Sequence, residues 1–186
     1  RMGAINELAE KTNSQIIPAD ATSLDDIKNL FSQSQEVLGG KIDFVLHSIG
    51  MSPNVRKKKD YTDLNYEWYK KTLDVSAMSL HKVLKVASET DAINEWGSVV
   101  ALTYIAAQRI FPDYNDMADA KSLLESITRS FGYHYVTSKK VRVNTISQSP
   151  TVTTAGSGVS GFDKFIDFSE NMSPLGNAGS LDCANY

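Results

Sequence analysis

Residues 101–131 read ALTYIAAQRIFPDYNDMADAKSLLESITRSF, from Ala101 to Phe131. Ahead of this stretch comes Gly97, and Val99 to Tyr104 are then mostly β-branched or apolar, the composition of a buried strand that ends at Tyr104. Pro112 punctuates a loop, and a helical run follows. Two tyrosines and a lysine lie across this junction. Tyr114 and Lys121 are seven residues apart, which on an ideal helix returns Lys121 to within roughly 20° of Tyr114, about 10.5 Å further along the axis. A phenol with a reference pKa of about 10 is a proton donor near neutral pH, and a nearby ammonium stabilises its phenolate. A Tyr and a Lys at this spacing recur by chance on many helices, so spacing alone assigns no site.

The chain outside this stretch has the same alternating character. Arg1 to Lys11 reads as helix, Gln15 to Ala19 as a short strand, and Leu24 to Leu38 as an amphipathic helix ended by Gly39-Gly40. Ile42 to Ile49 is a near-continuous apolar run, as expected of a strand buried on both faces. It closes in His47-Ser48-Ile49-Gly50, where ligands of an open α/β sheet bind and where a glycine lets backbone pass close to them. Tyr66 to Ala92 reads as one long helix and Val141 to Ser147 as another buried strand. Gln148 to Gly161 is rich in Ser, Thr and Gly and reads as a loop. Its Gly156-Ser157-Gly158-Val159-Ser160-Gly161 fits G-x-G-x-x-G but lies far from the start of a βαβ unit, so it is set aside as a dinucleotide fingerprint.

The 186 residues are 41% hydrophobic and 22% charged with a net charge of -3, enough for one domain with a sizeable core and unsuited to nucleic acid. Cys183 is the single cysteine, so no internal disulfide forms, and no apolar run is long enough to span a membrane. With no signal peptide in view, a cytoplasmic location is expected. The only basic run, Arg56-Lys57-Lys58-Lys59, sits after Pro53 in what reads as a polar loop. It is a solvated face or, by electrostatic steering, a dock for an acidic partner.

The text LTYIAAQRIFPDYNDMADAK, followed by SLLESITRSFG and KKVRVNTISQSPTVTTA, resembles the enoyl-acyl-carrier-protein reductases, a divergent branch of the short-chain dehydrogenase/reductases. In that family a Tyr ends one strand, a second Tyr follows ten residues on, and a Lys comes after six more. Tyr104, Tyr114 and Lys121 match all three. Arg142-Val143-Asn144, Ile146-Ser147 and Pro150 match the family's RVN-x-I-S-x-x-P segment. The resemblance covers nearly the whole chain.

It implies a Rossmann-like, doubly wound parallel α/β sheet with helices on both faces, a single domain over residues 1–186, with a substrate-binding lid at 148–175. It also implies a first strand, a glycine-containing phosphate-binding turn and a second strand ahead of Arg1, and a further strand after Tyr186, so the chain is expected to be the middle of a longer protein. The implied reaction is reduction of the trans-2 double bond of an enoyl-acyl-carrier-protein thioester in fatty acid biosynthesis. NADH is the implied cofactor, NADPH being the other form it could take, and no metal is called for. Tyr104, Tyr114 and Lys121 are the implied catalytic residues. Cofactor contacts fall on Asp20, Ala21, Ser48, Ile49, Gly50, Lys121, Pro150, Thr151 and Thr153. Asp20 equally reads as a cap of the following helix. Substrate contacts fall on Tyr104, Tyr114, Met117, Ala155 and Phe162. Ser76 and Ser79 lie where the superfamily often has a polar residue, a match too loose to assign either. A homo-oligomer, tetramer or dimer, is implied by the long helices. Two other readings stay open: a short-chain dehydrogenase acting on a carbonyl or hydroxyl, and a non-catalytic subunit without a phosphate-binding turn.

Overall fold

The structure, a computed structural model, describes residues 2–151 and 162–185. Three parallel strands make one sheet in the order β1 (Ile42–His47), β2 (Ile93–Thr103) and β3 (Arg142–Ser147). Between them run α3 (Pro53–Arg56), α4 (Tyr66–Leu73), a π-helical turn (Asp74–Met78), α5 (Ser79–Glu89) and the long α6 (Asn115–Lys139), with 3₁₀ turns at Tyr61–Asp63 and Ile105–Ala107. Ahead of the sheet lie α1 (Met2–Thr12) and α2 (Leu24–Leu38), and beyond it α7 (Phe162–Met172) and α8 (Ser180–Asn185). The chain is thus α/β with a parallel sheet, as the alternating pattern predicts.

Local chemistry explains the helix ends. Ser23 caps α2 by accepting from Asp26 N at 3.2 Å, so the cap is Ser23 rather than Asp20. At the other end Gly39 takes φ +70°, and the amides of Gly39 and Gly40 close back on Glu36 and Gln35, a Schellman stop. Within the helix Ile27 and Phe31 are buried against α5 and β1.

Both crossovers, β1 to β2 and β2 to β3, move across the sheet in one direction. Right-handed connections then place their helices on one face. Accordingly α5 packs between α2 and α6, and Val99, Ala101 and Val143 point from the sheet into that layer. Leu80, Leu84, Val86, Leu124 and Ile27 are fully buried there, each contributing about 1.5–3 kcal/mol relative to exposure.

Four sequence expectations are corrected. Gln15 to Ala19 forms no strand, because among the described residues no sheet edge lies beside it to complete a ladder. Strand β1 ends at His47 and is buried on one face; on the other, Phe44 and Leu46 are 55% and 53% exposed. Its apolar run reflects composition suited to two-sided burial, while the described helices cover one side. The expected helix from Tyr66 to Ala92 is divided by the π-turn and ends at Glu89. Pro53 to Arg56 is a helical turn capped by Ser52, with Asn54 and Val55 buried, so the basic run begins in helix rather than loop. Arg56, Lys57 and Lys58 are exposed and have no ion-pair partner among the described residues, whereas Lys59 pairs with Asp63 at 3.0 Å.

The β1–β2 ladder steps from Ile42↔Ile93 to Phe44↔Ser98, so Asn94 to Gly97 bulge out of register. Trp96 is forced to φ +66° in this bulge, and a Cβ on Gly97 would meet Ile93 Cγ2 at 2.5 Å and the Asn94 carbonyl at 2.8 Å. Gly97→Ala is therefore expected to destabilise the intact protein by about 1–3 kcal/mol, read from a chemical-denaturation midpoint. An unchanged midpoint would show that the bulge yields freely.

Candidate active site

The strand ends converge. His47 is level with Ala101, and Ala101 with Thr145, so the residues that follow β1, β2 and β3 emerge at one edge of the sheet. These are Ser48-Ile49-Gly50, Tyr104, and Gln148 to Thr151. This carboxyl edge is where ligands of open α/β sheets bind.

Tyr104 leaves β2 in extended conformation and starts the 3₁₀ turn Ile105–Ala107. Its ring lies 5.2 Å from that of Tyr114 and 5.2 Å from that of Phe111, while Phe111 meets Phe165 of α7 at 4.7 Å. The two expected tyrosines are therefore in contact, and α7 closes the cluster from the far side. Tyr114 is the residue that caps α6 rather than a member of it, and Asn115 takes φ +45°. The ideal angular step from Tyr114 to Lys121 does not hold through such a start. What aligns the two side chains is β2, since Tyr114 leans on Tyr104 and Lys121 reaches the carbonyl of Leu102, two residues earlier.

Lys121 is only 8% exposed, and its Nζ donates to Leu102 O at 2.6 Å. That uses one of three N–H donors. Burial pulls its ammonium down to about 8. Burial, and secondarily the Tyr104 ring, pushes the Tyr114 phenol well above its ordinary value, and burial also raises that of Tyr104. Both phenols are thus proton-bearing donors throughout the physiological range.

His47 is buried at the end of β1. Ser79 Oγ gives its one hydrogen to Val75 O at 2.7 Å, so at its 2.8 Å contact with His47 Nε2 the hydroxyl accepts. The imidazole is the Nε2–H tautomer, and Nδ1 is an acceptor with no partner among the described residues. Burial first, and then the charge of Lys121, lowers the His47 pKa to about 4, so the ring is neutral at pH 7.

The π-turn places Ser76, which the sequence left unassigned, beside Met51. Ser76 Oγ accepts from Met51 N at 2.9 Å and donates to Met51 O at 3.1 Å, fixing the turn just past Gly50. Such turns recur at functional sites. Gly50 faces Met117 of α6: a Cβ there would sit 3.7 Å from Met117 Cε.

On the other flank, Ala21 and Ile49 line one apolar cavity of about 430 Å³ with Ala19, Phe31, Phe44 and Leu46. Asp20 stands exposed beside it, its carboxylate accepting from Thr22 N at 2.8 Å and Thr22 Oγ1 at 2.7 Å, and those two bonds hold its pKa below the ordinary range. Ser48 is exposed and Pro150 half-buried; Thr151 Oγ1 accepts from Gln148 Nε2 at 2.8 Å and donates to Ser149 O at 3.1 Å. Thr153, Ala155 and the Gly156 to Gly161 motif lie outside the described residues, as does the side chain of Phe162. No described helix is long and apolar enough to cross a membrane.

A family model described as Enoyl-(Acyl carrier protein) reductase matches residues 1–185. Among curated relatives, enoyl-[acyl-carrier-protein] reductase [NADH] 2 of Rhizobium meliloti is 33% identical over 172 residues, covering 92% of this chain and 63% of that protein. The corresponding FabI of Aquifex aeolicus is 31% identical over 181 residues, covering 96% and 65%. Among solved structures, the FabI–NADH complex from Alistipes finegoldii superposes with a TM-score of 0.96 at 63% identity, covering 98% of this chain and 64% of that one. The chain thus spans a little under two thirds of the length of these relatives and shares their Rossmann-like fold. By sequence along its length and by fold, the chain belongs to the enoyl-(acyl carrier protein) reductase family.

Proposed function

We propose that the protein reduces the trans-2 double bond of enoyl thioesters borne by acyl carrier protein, with NADH as the reductant. The observation that carries this reading is the joint placement of Tyr104, Tyr114 and Lys121 at the carboxyl end of β2, in a family whose named relatives are NADH-dependent enoyl reductases. The cofactor's two ends find suited surfaces. In this reading Asp20 and Ala21, in the turn ahead of α2, and Ile49, just past β1, meet the adenine end. Lys121 keeps two N–H donors beyond Leu102 O, matching adjacent ribose hydroxyls, with Ser48 and Gly50 close in sequence to the same edge. Bound there, the reduced nicotinamide supplies a hydride for the β-carbon of the substrate.

The chain's own residues handle the charge that results. As the β-carbon gains hydride, negative charge develops on the thioester oxygen, and the enolate then takes a proton from water at its α-carbon to complete the reduction. Tyr114, neutral and desolvated, donates a hydrogen bond to that oxygen in the manner of an oxyanion hole. Tyr104, tilted against it with ring centroids 5.2 Å apart, fixes the Tyr114 ring and lines the acyl side with Phe111 and Phe165. Lys121 adds a positive charge in a poorly solvated place, where it acts more strongly than in water. In this reading α7, whose Phe165 meets Phe111, lies on the acyl side of the site. Reduction of a carbonyl, the alternative open to a short-chain dehydrogenase, is disfavoured because Tyr104 stands where those enzymes usually carry Ser.

Tyr114→Phe in the intact protein is expected to lower kcat for a crotonyl thioester by about 10²–10³-fold, the cost of losing one oxyanion donor, with NADH affinity little changed. Turnover within a few-fold of the unsubstituted protein would remove Tyr114 from the chemistry.

The protonated form of Lys121 is the one that binds and stabilises, and burial lowers its pKa from 10.5 to about 8. Its charge is therefore present below about 8 and lost as pH rises through that value. NADH affinity of the free protein, followed by fluorescence titration, is expected to weaken through this window, and Lys121→Arg, always protonated, to abolish the limb while binding more weakly overall. A limb that persists in Lys121→Arg would assign it to another group.

A further inference from the structure

Beside the proposed site lies a buried polar cluster that the reaction does not consume. Asp116, two residues past Tyr114 in the first turn of α6, is 0% exposed. Its Oδ1 accepts from Ser52 Oγ at 2.6 Å and its Oδ2 from Asn54 Nδ2 at 2.9 Å; the single hydrogen of Thr72 Oγ1 lies between Oδ2 at 2.8 Å and the carbonyl of Trp68 at 2.9 Å. No lysine or arginine pairs with it among the described residues. Three uncharged side chains from two segments, 44 to 64 residues away in sequence, meet the carboxylate.

Burying a carboxylate in this way gains little stability over an apolar side chain of similar size. What it fixes is direction, since each oxygen demands its donors at set distances and angles. The segments it joins are the ones that frame the site. Ser52 caps α3 and stands two residues past Gly50. Thr72 lies in the last turn of α4, which leads into the π-turn whose Ser76 grips Met51. Asp116 lies between Tyr114 and Met117 in sequence, and Met117 faces Gly50, where an added Cβ would sit 3.7 Å from its Cε. The fastening continues along α6: Asn115 Nδ2 donates to Lys59 O, and Asp119 Oδ2 accepts from Tyr61 OH at 3.1 Å and Tyr69 OH at 3.0 Å. Asn54 extends it in the other direction, accepting from Asn65 N at 3.1 Å.

We propose that Asp116 is a positioning residue, which through Ser52, Asn54 and Thr72 sets the distance between the Ser48-Ile49-Gly50 turn and the Tyr114 phenol. The inference rests on the enoyl-reduction reading, in which the first holds the nicotinamide end of the cofactor and the second meets the substrate oxygen. A misplacement of about 1 Å between such groups can cost about 10²-fold in rate.

The test uses the intact protein with competent sites counted by NADH fluorescence titration, so that misfolded protein does not enter kcat. Asp116→Asn sets an N–H against one of the donors, and Ser52→Ala removes the link nearest Gly50. Each is expected to lower kcat per competent site by about 5–50-fold while KM for crotonyl thioester and the Kd for NADH stay within about threefold. In the Asp116→Asn background, Tyr114→Phe should then cost about tenfold less than it does alone, because the donor it removes is already out of place. If Asp116→Asn does not fold, Ser52→Ala is measured by the same cycle and decides. Values of kcat per site within twofold of the unsubstituted protein, or a Tyr114→Phe cost equal in both backgrounds, would overturn the inference. No NADH oxidation by the unsubstituted protein would instead overturn the enoyl-reduction reading, and this inference with it.

Discussion

The constraint on which the rest depends is the parallel register of β1, β2 and β3. Because Ala101 is level with both His47 and Thr145, and Thr103 with Ser147, the three chains leave the sheet together. Two right-handed crossovers then put α5 and α6 side by side on one face. From that arrangement follows the position of Lys121, which reaches back from α6 to Leu102 on β2, and of Tyr114, which the start of α6 sets against Tyr104. A one-residue slip of β2 against β3 would turn Leu102 and Tyr104 to the other face and separate all three side chains.

Burial does chemical as well as structural work at this edge. The same desolvation raises both phenols and lowers the Lys121 ammonium and the His47 imidazole, so each group is moved toward its neutral form. For the tyrosines this secures a donor. For Lys121 it brings the loss of charge into the reach of physiological pH, which ties the site's electrostatics to solution conditions. For His47 it leaves a neutral ring whose proton is assigned by Ser79, with Nδ1 free to accept. The interplay is local: the charge on Lys121 is itself one reason His47 stays neutral.

Much of this was legible in the residues. Helix α2 and its stop at Gly39 follow from the apolar stripe and the glycine pair, and β3 and the Val99 to Thr103 half of β2 from β-branched runs, whereas the half of β2 that starts at Ile93 and carries the bulge was not legible as strand. The contact of Tyr104 with Tyr114 agrees with the resemblance in motif spacing, although the helical phase that first suggested a pairing with Lys121 fails at Asn115. What the sequence could not show depends on distant partners. Gln15 to Ala19 has strand composition but no edge to pair with among the described residues. The π-turn is one extra residue in a helix whose apolar pattern continues through it. Asp116 reads as an ordinary first-turn acid, favoured at a helix N-terminus. Only the fold brings Ser52, Asn54 and Thr72 to it.

The measurement that tests the account most directly is absorbance at the reduced-nicotinamide band after adding crotonyl thioester to the intact protein, with NADH and NADPH supplied separately. Enoyl reduction predicts a decay with NADH, stoichiometric with loss of the carbon–carbon double bond in the product. A flat trace with both cofactors from a folded sample, or a product that keeps its double bond and has lost a carbonyl, would contradict it.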